Sequence, residues 1–193
     1  MNRISPPART APRGPYILDP KTRERLLPEP LPHPVCGRAN TLDLPGYRQM
    51  DAYSCGFVAG AMVLRCFHPR RSLRRFFDLC QPHYDTGIST TALIAALRAS
   101  GVGVSTRRDL TFARIVKALD AGYPIITVVH TPVPNVDHWV VVYGYGRSPN
   151  RLFVAGDGLR IIGARGSRKE VDWETFQQTV WAYRRLGLVC WGK

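Results

Sequence analysis

Acidic residues and long apolar runs are both scarce in this sequence. Its 193 residues include 14 Asp and Glu against 27 Lys and Arg, which gives a formal net charge of +13 at pH 7. No stretch approaches the roughly 20 apolar residues of a membrane span, and no apolar run near the N-terminus has the character of a signal peptide. We therefore expect a protein without a membrane span that resides in the cytoplasm.

Cysteine is sparse, and the number of cysteines is odd. The chain has five cysteines, so at least one of them cannot pair within the chain, and this favours a reducing compartment. With 45% hydrophobic residues, a chain of this length can bury one domain well but not two. We expect one folded domain that acts as a monomer.

The excess of positive charge raises the question of nucleic acid. The one dense basic cluster comprises Arg65, Arg70, Arg71, Arg74 and Arg75, while the other basic residues are scattered. No helix-turn-helix, zinc-finger or aromatic-plus-glycine RNA signature accompanies the cluster. We therefore expect no specific nucleic-acid partner. An acidic partner, an anionic surface and solubility alone all stay open as reasons for the charge.

Prolines are concentrated at the N-terminus, where residues 1 to 34 hold nine of the sixteen. This density disfavours helices and sheet ladders and favours extended conformations that bury little. We predict a disordered N-terminal extension over residues 1–45 and a folded domain over residues 46–193. An alternative is that the extension lies across the cleft of that domain or carries a targeting signal.

Apolar periodicity and capping residues predict helices first and strands second. Helices are predicted from Cys55 to His68, from Leu73 to Leu79 after Ser72, from Ser89 to Gly101, from Thr111 to Gly122, and from Trp173 to Val180 after Asp172. Strands are predicted at residues 102–106, 124–130, 138–143, 151–155 and 161–162, with residues 187–191 closing the sheet. The fold class is therefore α+β, with an N-terminal helical half packed against a C-terminal antiparallel β-sheet and a cleft between them.

The predicted helix at Cys55 carries a candidate nucleophile. The first turn of a helix has unpaired backbone N–H groups and roughly half a positive charge, which favours a thiolate over a thiol. Gln49 lies six residues upstream, close enough to aim its side-chain amide at the oxygen of a carbonyl under attack. Taken alone, however, a cysteine is more often a small buried hydrophobe, and a glutamine before a helix can simply hold the backbone in place.

The sheet half carries a candidate base. His138 begins the most apolar strand, and Asp157 follows the next one, so a turn near residues 149 and 150 would bring the two side by side. An aspartate there can accept a hydrogen bond from His138 Nδ1 and leave Nε2 to exchange a proton with Cys55. A histidine at a strand start is otherwise often just a polar end, and Asp-Gly after a strand is often a turn.

These residues resemble a known family. The pattern Gln49-x5-Cys55-Gly56, then His138-Trp-Val-Val-Val and Asp157, is similar to the papain-like cysteine peptidases, with the closest likeness to the bacterial peptidases that process bacteriocins at double-glycine leaders. The similarity covers about residues 46 to 190. It implies a Cys-His-Asp triad formed by Cys55, His138 and Asp157, with Gln49 as oxyanion donor and no cofactor. It also implies a peptide or protein substrate.

Two departures from the family pattern bear on the substrate. Ser54 stands where the family often has an acidic or amide residue, and Gly158 follows Asp157 where proline is common. The leader peptidases are also often fused to a membrane exporter. Substrate choice is therefore less well defined by the sequence than the catalytic residues are.

Other interpretations of the same residues stay open. Cys66, His68, Cys80 and His83 could supply four zinc ligands, although their spacing matches no standard site. The domain could instead bind a peptide without cutting it, or use the same triad to transfer an acyl group to an amine, because hydrolysis and transfer share a thioester intermediate.

Overall fold

A computed structural model describes residues 29–31, 40–49, 53–83, 86–108, 110–131, 136–147, 150–156, 168–177 and 186–193. Its helices are α1 (Cys55–Phe67), α2 (Leu73–Cys80), α3 (Thr90–Ala99), α4 (Phe112–Asp120) and the short α5 (Trp173–Thr175). Its strands are β1 (Glu29–Leu31), β2 (Gly46–Arg48), β3 (Val102–Arg107), β4 (Ile125–Thr131), β5 (Val136–Arg147), β6 (Asn150–Ala155), β7 (Arg168–Asp172) and β8 (Gly187–Gly192). None of the helices in these ranges is long and apolar enough to cross a membrane.

Capping side chains begin three of the helices where the sequence predicts them. The hydroxyl oxygens of Ser72, Ser89 and Thr111 accept hydrogen bonds from the backbone N–H groups of Arg75, Ala92 and Arg114 at 3.2 to 3.3 Å. Each bond satisfies one of the N–H groups that a helix start leaves without an intrahelical partner. Asp172 does the same for α5, although residues 178–180 of the predicted helix lie outside the described residues.

Six of the strands form one antiparallel sheet in the order β3-β8-β4-β5-β6-β7. The predicted hairpin of β5 and β6 is confirmed, with Val141 opposite Ala155 and a register shift between Val142 and Gly144. In the chain, α1, α2 and α3 precede the first strand of this sheet. The predicted α+β arrangement is confirmed.

Two features of the sheet differ from the prediction. The C-terminal strand β8 does not close an edge but lies between β3 and β4, pairing with both. The edge strand β7 was not predicted, because its sequence Arg-Lys-Glu-Val-Asp has one buried apolar side chain, Val171, and so lacks the alternation that identifies a strand. The strand predicted at residues 161–162 lies outside the described residues.

The proline-rich region contains a strand, contrary to the prediction of a tail without sheet. Strand β1 pairs antiparallel with β2, so that Pro30 lies opposite Tyr47. A proline can occupy this position because alternate residues of a strand turn their N–H groups away from the partner, and no ladder bond is lost there. Leu42 also donates a backbone hydrogen bond to Tyr143 O at 2.8 Å, so the packed chain begins before the predicted boundary at residue 46.

The sheet has a buried side chain layer on each face. Trp139, Val141 and Tyr143 of β5 pack in the cluster that contains α1, α2 and α3. Val140 and Val142 alternate with them and pack on the opposite face with α4 and Phe176. Helix α1 therefore lies between the sheet and the helices α2 and α3, with every residue from Cys55 to Leu64 buried.

Candidate active site

Cys55 is the first residue of α1 and is 9% exposed. The preceding residue, Ser54, begins the helix with its carbonyl oxygen, which accepts a hydrogen bond from the N–H of Val58 at 2.9 Å. No acidic residue lies in the first turn of α1. The partial positive charge of the helix start is therefore not offset by a carboxylate within that turn, and such a position favours a thiolate.

The residue after Cys55 holds the start of α1 against the rest of the domain. A Cβ atom added to Gly56 would overlap Cγ2 of Ile88 and lie 2.9 Å from Cδ1 of Trp139. Only glycine therefore fits here without a shift of its neighbours. The carbonyl oxygen of Tyr53 likewise lies close to Gly87, which has a φ of 67° in the left-handed region.

His138 is the third residue of β5, half-buried and paired in register with Val129 of β4. The next residue, Trp139, is the one whose ring contacts Gly56. Cys55 directly precedes Gly56, and His138 directly precedes Trp139. Each candidate catalytic residue is therefore next to one of the two residues in contact. This contact brings the backbone at the start of α1 close to the backbone of β5 next to His138.

Gln49 directly follows β2 and is half-buried, with its side-chain oxygen Oε1 inaccessible to solvent. Strand β2 contacts α1, and its central residue, Tyr47, is 7% exposed. Burial raises the pKa of the Tyr47 hydroxyl, an effect that the nearby positive charge of Arg65 opposes. The packing of β2 on α1 places Gln49 on the same side of the domain as the helix that carries Cys55.

Asp157 lies outside the described residues, as does Asp51. The chain is described up to Gly156, which packs against the backbone of β5: a Cβ added there would lie 2.9 Å from Val140 Cγ1 and 3.3 Å from the carbonyl oxygen of Trp139.

Another aspartate near His138 already has a histidine partner. Asp137 lies directly opposite His130 in the β4–β5 ladder, and its Oδ1 lies 2.8 Å from His130 Nδ1. Because neighbouring residues of a strand point to opposite faces, Asp137 is poorly placed to orient the imidazole of His138. The sequence did not identify this pair, which depends on the register of two strands.

The four residues of the possible zinc site do not come together. Among the described residues, no three His, Cys, Asp or Glu side chains are close enough to hold a metal ion. His68 Nε2 instead lies 3.0 Å from the carbonyl oxygen of Gly101. Burial, and to a lesser degree Asp43, raises the pKa of the Cys66 thiol to about 11, and burial also raises that of Cys80.

Comparison with known proteins identifies relatives of this arrangement. The model of the Peptidase_C39 like family matches residues 41–188. The chain is similar to a double glycine motif protease from an AMS/PCAT transporter, solved in complex with the leader peptide, at 18% identity and a TM-score of 0.60 over 84% of this chain and 100% of that one. It is also similar to the peptidase domain of Streptococcus ComA, a bi-functional ABC transporter involved in quorum sensing, at 18% identity and a TM-score of 0.54 over 75% of this chain and 96% of that one. No curated protein has significant similarity to the sequence. The predicted papain-like fold is confirmed by these structures.

Proposed function

Because the chain belongs to the Peptidase_C39 like family of cysteine peptidases, we propose that it hydrolyses peptide bonds with Cys55 as nucleophile and His138 as general base. The observation that supports this assignment is the contact between Gly56 and Trp139, which brings the backbone at the start of α1 close to the backbone of β5 next to His138. It joins the start of a helix, where a thiolate is favoured, to the strand that carries an imidazole. A nucleophile and a base on separate elements need such a junction to exchange a proton.

The proposed reaction has two stages. In the first, the Cys55 thiolate attacks the carbonyl carbon, and the His138 imidazolium gives its proton to the departing amine, leaving a thioester. In the second, the neutral imidazole takes a proton from water, the hydroxide attacks the thioester, and the carboxylic acid leaves as the thiolate is restored. Each tetrahedral intermediate carries an oxyanion, for which the backbone N–H of Cys55 and the side-chain amide of Gln49 are the proposed donors.

Asp157 is the proposed partner of His138. Gly156 packs against the backbone of Trp139 and Val140, so the chain approaches position 157 from beside the strand that carries the histidine. A carboxylate there would accept a hydrogen bond from Nδ1 and select the tautomer with a free Nε2. Asp137 is the less suitable candidate because it is already bonded to His130.

A peptide or protein is the proposed substrate, and a leader peptide ending in two glycines is the first one to test. The similar structure from the AMS/PCAT transporter was solved with its leader peptide. Cleavage after Gly-Gly but not after Ala-Ala, in otherwise identical peptides, would support the same preference here. Equal cleavage of both peptides would leave the peptidase assignment in place and remove the leader specificity.

The rival functions are peptide binding without cleavage and acyl transfer to an amine. The presence of both Cys55 and His138 favours catalysis, because a binding domain needs neither. Hydrolysis and transfer are separated by mass spectrometry of the products in the presence of an added amine. A free carboxylate as the main product supports hydrolysis, and an amide supports transfer.

The test of the proposal is the intact mass of the protein after reaction with an acyl probe directed at thiols. We expect the native protein to form one stable adduct with the probe. His138→Ala should form the same adduct much more slowly, and Cys55→Ala should form none. Peptide cleavage should disappear in both variants while their melting temperatures stay close to that of the native protein. Cleavage that survives in Cys55→Ala would overturn the proposal.

A further inference from the structure

Four arginines form an exposed group at the start of α2. Arg70 and Arg71 lie in the turn before the helix, and Arg74 and Arg75 lie in its first turn. All four are exposed. We call this group the arginine patch. The opposite side of α2 is buried in the core through Leu73, Phe76, Phe77 and Cys80, and this fixes the patch on the outer surface.

Within the described residues, the positive charge of the patch is not paired. In the described part of the protein, none of the four guanidinium groups makes a hydrogen bond or an ion pair. The first turn of α2 contains no acidic residue, although the positive end of a helix dipole favours carboxylates and disfavours cations at that position. The arrangement is therefore unfavourable for the isolated protein, and an anionic partner would relieve it.

An apolar side chain lies beside the patch. Leu79 is 41% exposed and follows Arg75 by one turn of α2, on the same outward side of the helix. A cluster of exposed arginines can bind the phosphate groups of an anionic bilayer, and an exposed leucine beside it can enter the acyl boundary. Asp78 is also exposed in this helix, and the four arginines outnumber it.

We propose that the arginine patch and Leu79 bind the surface of a membrane that contains anionic phospholipids. Charge complementarity selects the lipid headgroups, and the net charge of +13 would attract the whole molecule to the same surface. Single-stranded nucleic acid fits less well, because Phe76 and Phe77 are buried and so leave α2 without an exposed ring on which bases could stack. An acidic peptide fits less well because the outward face of a single helix is convex and offers no groove.

The arginine patch lies away from the candidate nucleophile. The patch follows the C-terminal end of α1, and Cys55 is at the N-terminal end of that helix. Its thirteen residues separate the two by about 18 Å along the helix axis. We therefore expect variants of the patch to leave peptide cleavage unchanged, so that a failure of membrane binding and a failure of the proposed function can be distinguished.

Co-sedimentation of the full chain with vesicles tests the proposal. We expect binding to vesicles of phosphatidylcholine mixed with phosphatidylglycerol, little binding to phosphatidylcholine alone, and loss of binding as salt is added. Each arginine near an anionic surface contributes about fivefold to the partition coefficient. Changing Arg70, Arg71, Arg74 and Arg75 together to Gln should therefore lower it by at least about a hundredfold.

The matched control removes the same charge elsewhere. Arg107, Arg108, Arg114 and Lys117 are also exposed, so changing all four to Gln gives the same net charge as the patch variant. The control variant should retain most of the vesicle binding of the native protein. Leu79→Ser should weaken vesicle binding without changing the salt dependence of that binding. Equal losses in the two charge variants would show a general effect of net charge and overturn the proposal. Binding to DNA or polyglutamate that depends on the patch, without binding to vesicles, would also overturn the proposal.

Discussion

Trp139 packs against Gly56 at the point where α1 begins, and a Cβ atom at position 56 would lie 2.9 Å from Trp139 Cδ1. Gly56 is the neighbour of the candidate nucleophile, and Trp139 is the neighbour of the candidate base. The contact also makes the identity of residue 56 a sensitive probe of the site, because any larger residue must push the strand or Ile88 away from the helix start.

Gly56→Ala should therefore lower both stability and activity. Overpacking of a buried position costs about 1–3 kcal/mol, and the displaced strand should move His138 relative to Cys55 and reduce kcat. Gly60→Ala is the matched control on the same helix, since a Cβ there would lie 2.8 Å from Phe76 Cζ and 2.9 Å from Leu93 Cδ1. We expect a similar fall in melting temperature with kcat per folded molecule preserved. Equal kcat losses in the two variants would remove the special role of the Gly56 contact.

Cys55 should react with iodoacetamide faster than the other cysteines at pH 6. Burial raises the pKa of the Cys66 thiol to about 11 and that of Cys190 to about 12, and it raises that of Cys80 as well. Each of these groups is protonated below its pKa, so its labelling should increase about tenfold for each pH unit up to that value. Peptide mapping after timed alkylation measures the rates. Labelling of Cys55 with the same steep dependence from pH 6 upward would contradict the thiolate assignment.

Asp157→Asn should reduce turnover less than Cys55→Ala or His138→Ala, because an amide oxygen can still hold the imidazole in place. Asp137→Asn is the control, since the structure bonds that carboxylate to His130 instead. We expect kcat close to the native value for Asp137→Asn and a clear loss for Asp157→Asn, both measured with one peptide substrate. The reverse order would make Asp137 the third member of the triad.

Gln49→Ala should lower kcat by about 10²–10³, or about 2.7–4 kcal/mol of barrier, with little change in substrate affinity. The physical reason is that a donor to the oxyanion acts in the transition state and not in the bound substrate. Melting temperature and single-turnover rate should be measured on the same samples. A lowered melting temperature with an unchanged rate would identify a structural glutamine and leave Cys55 and His138 in the site.

Much of the helical half could be predicted from the sequence because its signals are local. A capping hydroxyl and the apolar residues that follow it lie within one or two turns, so Ser72, Ser89 and Thr111 mark helix starts without reference to the rest of the chain. The same is true of Cys55, whose place at the start of α1 follows from the apolar residues after it.

Pairing between distant segments could not be predicted in this way. The position of β8 between β3 and β4 depends on contacts of residues 187–192 with strands that lie far earlier in the chain, and no local pattern specifies which strand becomes the neighbour. The pairing of Pro30 with Tyr47 depends on the register, which decides whether a missing N–H matters. The His130–Asp137 pair depends on register in the same way.

The sequence by itself determined the residue types, their order and the local structure around Cys55 and His138. Only the tertiary structure decided that the residue after Cys55 touches the residue after His138. Local structure follows from interactions within a few residues, whereas proximity across 83 positions of chain (138 − 55) arises only when buried side chains of α1 and β5 pack into one core.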